Sequence, residues 1–548
     1  MGDVGERERL LDPRQCQQDA KALMLCGSDR RANEVVVRAV DDEVNEGETF
    51  DGLPKEKRQL GLTSAIFLIV NRIIGTGIYA TPSVILQSCG SVGFSLLVWL
   101  LGAFIAAAGT AVFIELGTGL PRNGGEKNYL EFIYRRPKYL VSYVYATLVV
   151  LIGWAAASSV LFGEYAIHAL DLPLTRWNSR MIGAVALTLA FILHGTRINW
   201  GLRVQNALGM FSLLVMGITI SVGLAAFYFP GYMSVEITDN LEWVNLWSGT
   251  RVEPNALVTA LYNVIWCFNG YSNANYALSE VRDPIRTIKR AAPLALFAVG
   301  LVYILVNLSY FAVVSKAEIL DGGRIVAALF FRNLFGVQAE RFVSSIIALS
   351  LLGNMLAMQF TQGRVIQELG REGILPYSSW LASNQPFDTP IAGLFLQWAV
   401  CLITVTLPPP GDAFNFILQF SSYATVMVNV AVSVGLLFLH TQRAKKRGYD
   451  WAPPFSAWTS AVAFFFFSNV FLAVFPLIPP AAGREVYERI PYFLHVVVAL
   501  GIALLGVVCY YIRCVYLPRR GGYILVRQSI VQEDGILRNA FRKIRIEE

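Results

Sequence analysis

From residue 62 to residue 516 the chain repeats one pattern, an apolar run of about 20 residues followed by a short polar stretch. That run length is what an α-helix needs to cross bilayer hydrocarbon. The pattern predicts roughly twelve spans, at 62–88, 92–117, 139–165, 179–195, 203–229, 255–279, 291–314, 340–362, 390–407, 413–439, 456–478 and 491–516. The expected fold is an all-α integral membrane protein with about twelve transmembrane helices. Two runs lose clean helix sequence in their middles. The first carries Asn71-Arg72-Ile73-Ile74-Gly75-Thr76-Gly77-Ile78-Tyr79-Ala80-Thr81-Pro82, and the sixth carries Phe268-Asn269-Gly270-Tyr271-Ser272-Asn273. Glycine is costly inside a helix, and Asn-Gly marks a turn.

Broken backbone at membrane depth is tolerated only inside protein or beside a cavity. The first run therefore reads as two half-helices, about 62–74 and 78–88. The second half-helix turns its free N–H groups and positive dipole end toward the break, which attracts a carboxylate. The carbonyls ending the first half attract an ammonium. Together they suit the backbone of a zwitterionic amino acid. On this run alone, a glycine kink for close helix packing is an equal reading. The two broken runs lie five spans apart, however. Inverted five-helix repeats bring two broken helices together at the midplane around a substrate. That correspondence favours the site. The halves share negligible sequence identity, so the repeat rests on position and broken-helix character.

Composition agrees with the pattern. The chain has 548 residues, 55% hydrophobic and 15% charged, with mean hydropathy +0.50; a soluble domain carries about 25% charged residues. The net charge of +6 leaves no nucleic-acid footprint. Seven cysteines are scattered without a Cys-x-x-Cys, which predicts reduced thiols and no metal or cofactor. Residues 1–60 read as a disordered polar tail, 61–516 as the twelve-helix membrane core and 517–548 as a second tail, solvated or touching the membrane surface or vestibule. Lys55, Lys57 and Arg58 precede the first span, and alternate loops carry the Lys and Arg excess by roughly two to one. Both tails are thus expected in the cytoplasm.

Three charges stand out in apolar surroundings. Arg72 falls deep in the first half-helix and needs a partner, water or exposed carbonyls. Glu115 ends the second span, as a proton carrier or, more simply, as a cap or loop partner. Glu164 and His168 lie one helical turn apart near the outer end of the third span, facing a vestibule or the interface. His194 and His495 read as interfacial.

These motifs resemble those of an amino acid permease of the APC superfamily. The resemblance is carried by Asn71 to Pro82, Glu115-Leu116-Gly117-Thr118, Gly124-Gly125, Phe268 to Pro284 and Leu369 to Pro376. Within the superfamily the chain is most similar to the L-type transporters, in particular the fungal high-affinity methionine permeases, over about residues 60–516. The resemblance implies a LeuT-like fold, ten core helices in two inverted repeats plus two more. It implies that the substrate carboxylate meets amides of Thr76 and Gly77, with Gly75 allowing close approach. The ammonium meets carbonyls near Ile73 and Asn269, beside Gly270. Trp266 falls at the aromatic gate position, with Phe268 as its rival; Tyr271, Asn354 and Met355 are expected to shape the side-chain pocket.

Coupling is less well defined. Ser212 stands where related transporters place a lysine, and Leu352 to Leu356 offers no hydroxyl pair of the sodium-coupled kind. The resemblance implies proton symport at the plasma membrane, with Arg72, Glu115 and Glu164 as candidates for coupling. No disulfide-linked heavy chain is expected. The expected substrate is a large neutral amino acid, methionine first. A facilitator or exchanger and a non-transporting sensor stay open, and no nucleophile–base pair or phosphate loop suggests an enzyme.

Overall fold

The computed structural model describes residues 35–36, 61–75, 77–121, 124–173, 175–229, 238–276, 281, 283–409, 411–449, 451–480, 487–531 and 537–545. It is predominantly helical. The first half contains α1 (Leu62–Ile73), α2 (Gly77–Cys89), α3 (Val92–Gly119), α4 (Glu126–Ile133), α5 (Leu140–Leu151), α6 (Ala156–Ala169), α7 (Arg176–Thr196) and α8 (Ile198–Tyr228). The second half contains α9 (Pro254–Phe268), α10 (Pro284–Val313), α11 (Lys316–Asp321), α12 (Val326–Phe335) and α13 (Val337–Arg371). It continues through α14 (Ile391–Thr406), α15 (Ala413–Leu439), α16 (Thr459–Val474) and α17 (Leu494–Tyr510). Among the described residues nine helices are long and apolar enough to cross a membrane, or ten if the bent pair α1–α2 counts as one. The shorter α9 and α14 occupy two further expected runs. The third run is one span as expected, Leu140–Ala169, but not one continuous helix. It breaks at residues 152–155, where Trp154 Nε1 donates to Val149 O at 3.1 Å and occupies a carbonyl left by the break.

The outer face of the bundle is apolar. Phe104, Leu189, Leu214, Phe297, Phe467 and Leu504 all project outward from long helices. In water such a belt would be an aggregation surface; against lipid it is the solvated face. The interior carries polar groups that pair with one another, and it is this interior that holds the site.

Described residues of the two terminal segments meet on one side, the tail side. There β2 (Tyr523–Val531) and β3 (Leu537–Arg545) form an antiparallel hairpin, and β1 (Val35–Val36) pairs with Val531 and Ile530. The expected solvated tail is thus an ordered hairpin over its described residues. It packs by Tyr139 against Phe541, ring centres 5.2 Å apart, and by Arg527, 3.8 Å from Glu131 of α4. Lys127 of α4 pairs with Glu131 at 2.7 Å and with Glu372 at 2.6 Å, beyond the end of α13. Burial pushes the Glu131 carboxyl up, but Lys127 and Arg527 outweigh it and hold the group below its ordinary range. The opposite, far side is roofed by α11 and α12.

Candidate functional site

The first break is built as the glycines dictate. α1 stops at Ile73, Ile74 is extended, and its N–H still closes on Val70 O at 2.8 Å. α2 restarts at Gly77, bent 48° from α1. The last carbonyls of α1 and the first N–H groups of α2 therefore lack helical partners and face the gap. Thr76 lies outside the described residues. At Gly77 an added methyl carbon would sit 3.1 Å from the Cys267 Cα of α9, so the two broken spans meet with no room for a side chain.

The second break faces the first. α9 ends at Phe268, Asn269 is extended, and Gly270 takes φ +123°, a region that side-chain-bearing residues avoid. A Cβ there would also strike the Arg72 side chain. Tyr303, from the middle of α10 and fully buried, ties the breaks together. Its Oη donates toward Ile73 O at 2.9 Å and Cys267 O at 3.2 Å. Thr81 Oγ1 donates to Gly77 O at 3.0 Å and lies 3.2 Å from Cys267 Sγ.

A small, partly open cavity lies against these ends. Ile73, Gly75, Gly77, Asn269 and Asn354 line it with backbone and amide groups. Trp154, Ala157, Trp266, Cys267 and Met358 make its apolar and sulfur-bearing wall. Asn354 of α13 abuts Gly75 and accepts from Ser158 Oγ of α6 at 3.0 Å. A second, larger space continues toward the tail side past Glu126, Gln362 and Asn429. Arg72, Trp154 and Asn269 line both spaces. The Arg72 guanidinium donates to Met358 Sδ.

Of the residues expected at the site, Ile73, Gly75, Gly77, Trp266, Asn269 and Asn354 share the smaller cavity, and Gly270 lines the larger one. Phe268 and Tyr271 do not reach either lining. Phe268 packs with Trp99 and Tyr303, and Tyr271 packs against Phe113 at 5.8 Å. Phe268 follows Trp266 by two positions on α9, about 200° around the helix, so the two side chains face opposite ways. Met355 is buried outside the lining, which Met358 supplies one turn on. His194 and His495 are fully buried rather than interfacial.

Glu115 is fully buried and held three ways. His440 Nε2 lies 2.8 Å from Oε1, Trp451 Nε1 donates to Oε1 at 3.0 Å, and the Ala457 N–H donates to Oε2 at 2.8 Å. It staples α3 to the segment after α15. Glu164 pairs with Arg324 at 2.8 Å, and His168 lies 3.0 Å from Glu340. Ser212 Oγ lies 3.5 Å from Tyr79 Oη of α2. Sequence reasoning missed Tyr303, Ser158 and Cys267. The available signal was a hydroxyl or thiol alone in an apolar run, which must find a partner when buried.

Two broken spans of this bundle abut a shared cavity, an arrangement that suits holding a small molecule at membrane depth. A family model described as amino acid permease matches residues 60–500. The chain belongs to the amino acid permease family and is a transporter rather than an enzyme. It is similar to the high-affinity methionine permease of Saccharomyces cerevisiae, 42% identical over 496 residues, covering 90% of this chain and 85% of that one. The low-affinity methionine permease of the same yeast is 29% identical, covering 88% and 87%. The human b(0,+)-type amino acid transporter 1 is 29% identical, covering 71% and 77%.

Proposed function

We propose that this protein is a secondary active transporter that imports neutral amino acids, methionine foremost, across the plasma membrane by alternating access, together with protons. The observation that carries the proposal is the meeting of two broken helices at one cavity, with charge-complementary backbone on one side and an apolar, sulfur-bearing wall on the other. The substrate carboxylate takes the amides of Thr76 and Gly77 at the start of α2. Its ammonium takes carbonyls at Ile73 and Asn269. The thioether side chain lies among Trp154, Trp266, Cys267 and Met358, which offer sulfur–aromatic contact and no carboxylate. The names of the two yeast relatives support methionine.

The two breaks, five spans apart, fit a LeuT-like pair of inverted repeats. The Lys and Arg bias of the loops favours cytoplasmic tails, so the larger cavity opens inward. With Glu115 committed to three donors, Glu164 and Arg72 are the charges best placed to couple protons to substrate movement.

The test is sodium-free methionine uptake into proteoliposomes under an imposed inward proton gradient. Accumulation that a protonophore abolishes supports symport. A second reading, uncoupled exchange or facilitation, draws on the pairing of both Glu115 and Glu164 in this structure. Equilibration that ignores the gradient would select it, and binding without flux would indicate a sensor.

A further inference from the structure

The far side of the bundle is closed around one arginine. Arg324 lies between α11 and α12, in the connection from α10 to α13. Its Nη1 donates to Glu164 Oε1 of α6 at 2.8 Å, and its Nη2 donates to Gly411 O at 3.3 Å. The guanidinium carbon sits 4.7 Å from the centre of the Phe414 ring, at the start of α15. Its backbone carbonyl accepts from Tyr165 Oη, and the same hydroxyl reaches Tyr79 O of α2, each at 3.2 Å. Phe414 in turn meets Trp266 edge to face, ring centres 6.1 Å apart, and Trp266 lines the substrate cavity. One residue thus touches α6, the α14–α15 connection and α15, and reaches α2 through Tyr165. Two rings, Phe414 and Trp266, link it to the substrate cavity.

The two charged side chains are only 17% and 18% exposed. A pair so shielded is less screened than one at an open surface, and its hydrogen bond is charge-assisted. Further charges at this end of α6 are His168, 3.0 Å from Glu340, and Arg332, 4.0 Å from Glu340. Glu488 lies beside Gly411.

We propose that Arg324, Glu164 and Phe414 form the latch of the far-side gate, with Trp266 as its inner leaf, so that substrate enters only when Arg324 leaves Glu164. The proposal rests on the transport reading above. Arg324 and Glu164 are positioning residues: they act on Trp266 through Phe414 and do not touch substrate.

The reporter is native. Cys267 lines the substrate cavity, so a membrane-impermeant maleimide added outside intact cells reaches it only through an open far side. Labelling of the full-length protein is read on the Cys267 peptide by mass spectrometry, with Cys267→Ser as the blank. Arg324→Gln, Glu164→Gln and Phe414→Leu are each expected to speed labelling by about tenfold, the effect of removing a single ~1.4 kcal/mol contact. Arg324→Lys, which keeps a cation beside Glu164 and Phe414, is expected to hold labelling near the wild-type rate while Arg324→Gln speeds it at unchanged thermal stability, a split that a merely structural role would not produce. Phe414→Leu leaves the ion pair in place and serves if a charge variant fails to reach the surface. Unchanged labelling in Arg324→Gln and Phe414→Leu, with methionine uptake intact, overturns the latch and leaves the transport reading standing. Faster labelling in a protein that moves no amino acid upholds the latch and removes the transport reading.

Discussion

Tyr303→Phe removes one oxygen and tests whether the two breaks work as a unit. The ring would stay, because it packs between Trp99 and Phe268 with centres 5.5 and 5.4 Å away. Lost is the proton shared between Ile73 O and Cys267 O, at 2.9 and 3.2 Å, the bond that fixes the end of α1 against the end of α9. A typical hydrogen bond contributes about 0.5–1.5 kcal/mol net, while leaving buried acceptors short costs about 1–3 kcal/mol. Ile73 O is also a proposed ammonium ligand, so its misplacement falls on binding. At about 1–3 kcal/mol, methionine affinity should weaken about 5- to 150-fold. The assay is radiolabelled methionine binding to purified protein, with thermal stability measured in parallel. Affinity within twofold of wild type, at unchanged stability, would refute the claim that Tyr303 couples the breaks to the site.

Three further outcomes are expected. Gly77→Val should reduce uptake to below about a tenth, since its side chain must displace the backbone near Cys267 Cα at a cost of about 1–3 kcal/mol, whereas Gly217→Ala, with open space around it, should be neutral. Glu115→Gln should lower thermal stability by about 1.5–3 kcal/mol through its lost charged hydrogen bonds while leaving the pH profile of uptake unchanged; a flattened profile would instead make Glu115 the proton carrier. Glu131, held below its ordinary value of 4.5, contributes stability that is present above that value and lost as pH falls through its folded value. Hydrogen exchange of residues 126–133 should therefore accelerate on acidification below about 4.5, and Glu131→Gln should abolish the change.

What the sequence revealed follows from which forces are local. Hydrocarbon thickness sets run length, so the expected run 413–439 coincides with α15, Ala413–Leu439. Glycine and Asn-Gly break helices by their own conformational preferences, so both breaks were legible at Gly75, Gly77 and Gly270. The interruption at residues 152–155 was not, because one Gly153 among apolar neighbours is a weak signal and its stabilising bond comes from Trp154. Tyr303 could not be assigned either, since one of its partners, Ile73, lies 230 positions away. Trp266 and Phe268 were rivals because the resemblance puts a Phe at the gate position where this chain carries Trp, and both lie on α9 two positions apart. The C-terminal run Tyr523 to Val531 was read only as part of a tail, because the groups that its hairpin packs against, Tyr139 and Glu131, lie far upstream.

The central claim is that the two breaks bind both ends of an amino acid while the cavity wall takes its side chain. Competition against radiolabelled methionine on the purified protein measures this directly. Free methionine and leucine should displace the label, whereas methionine methyl ester and N-acetylmethionine, each lacking one of the two charges, should not. Displacement by the blocked analogues at concentrations similar to methionine would contradict the account.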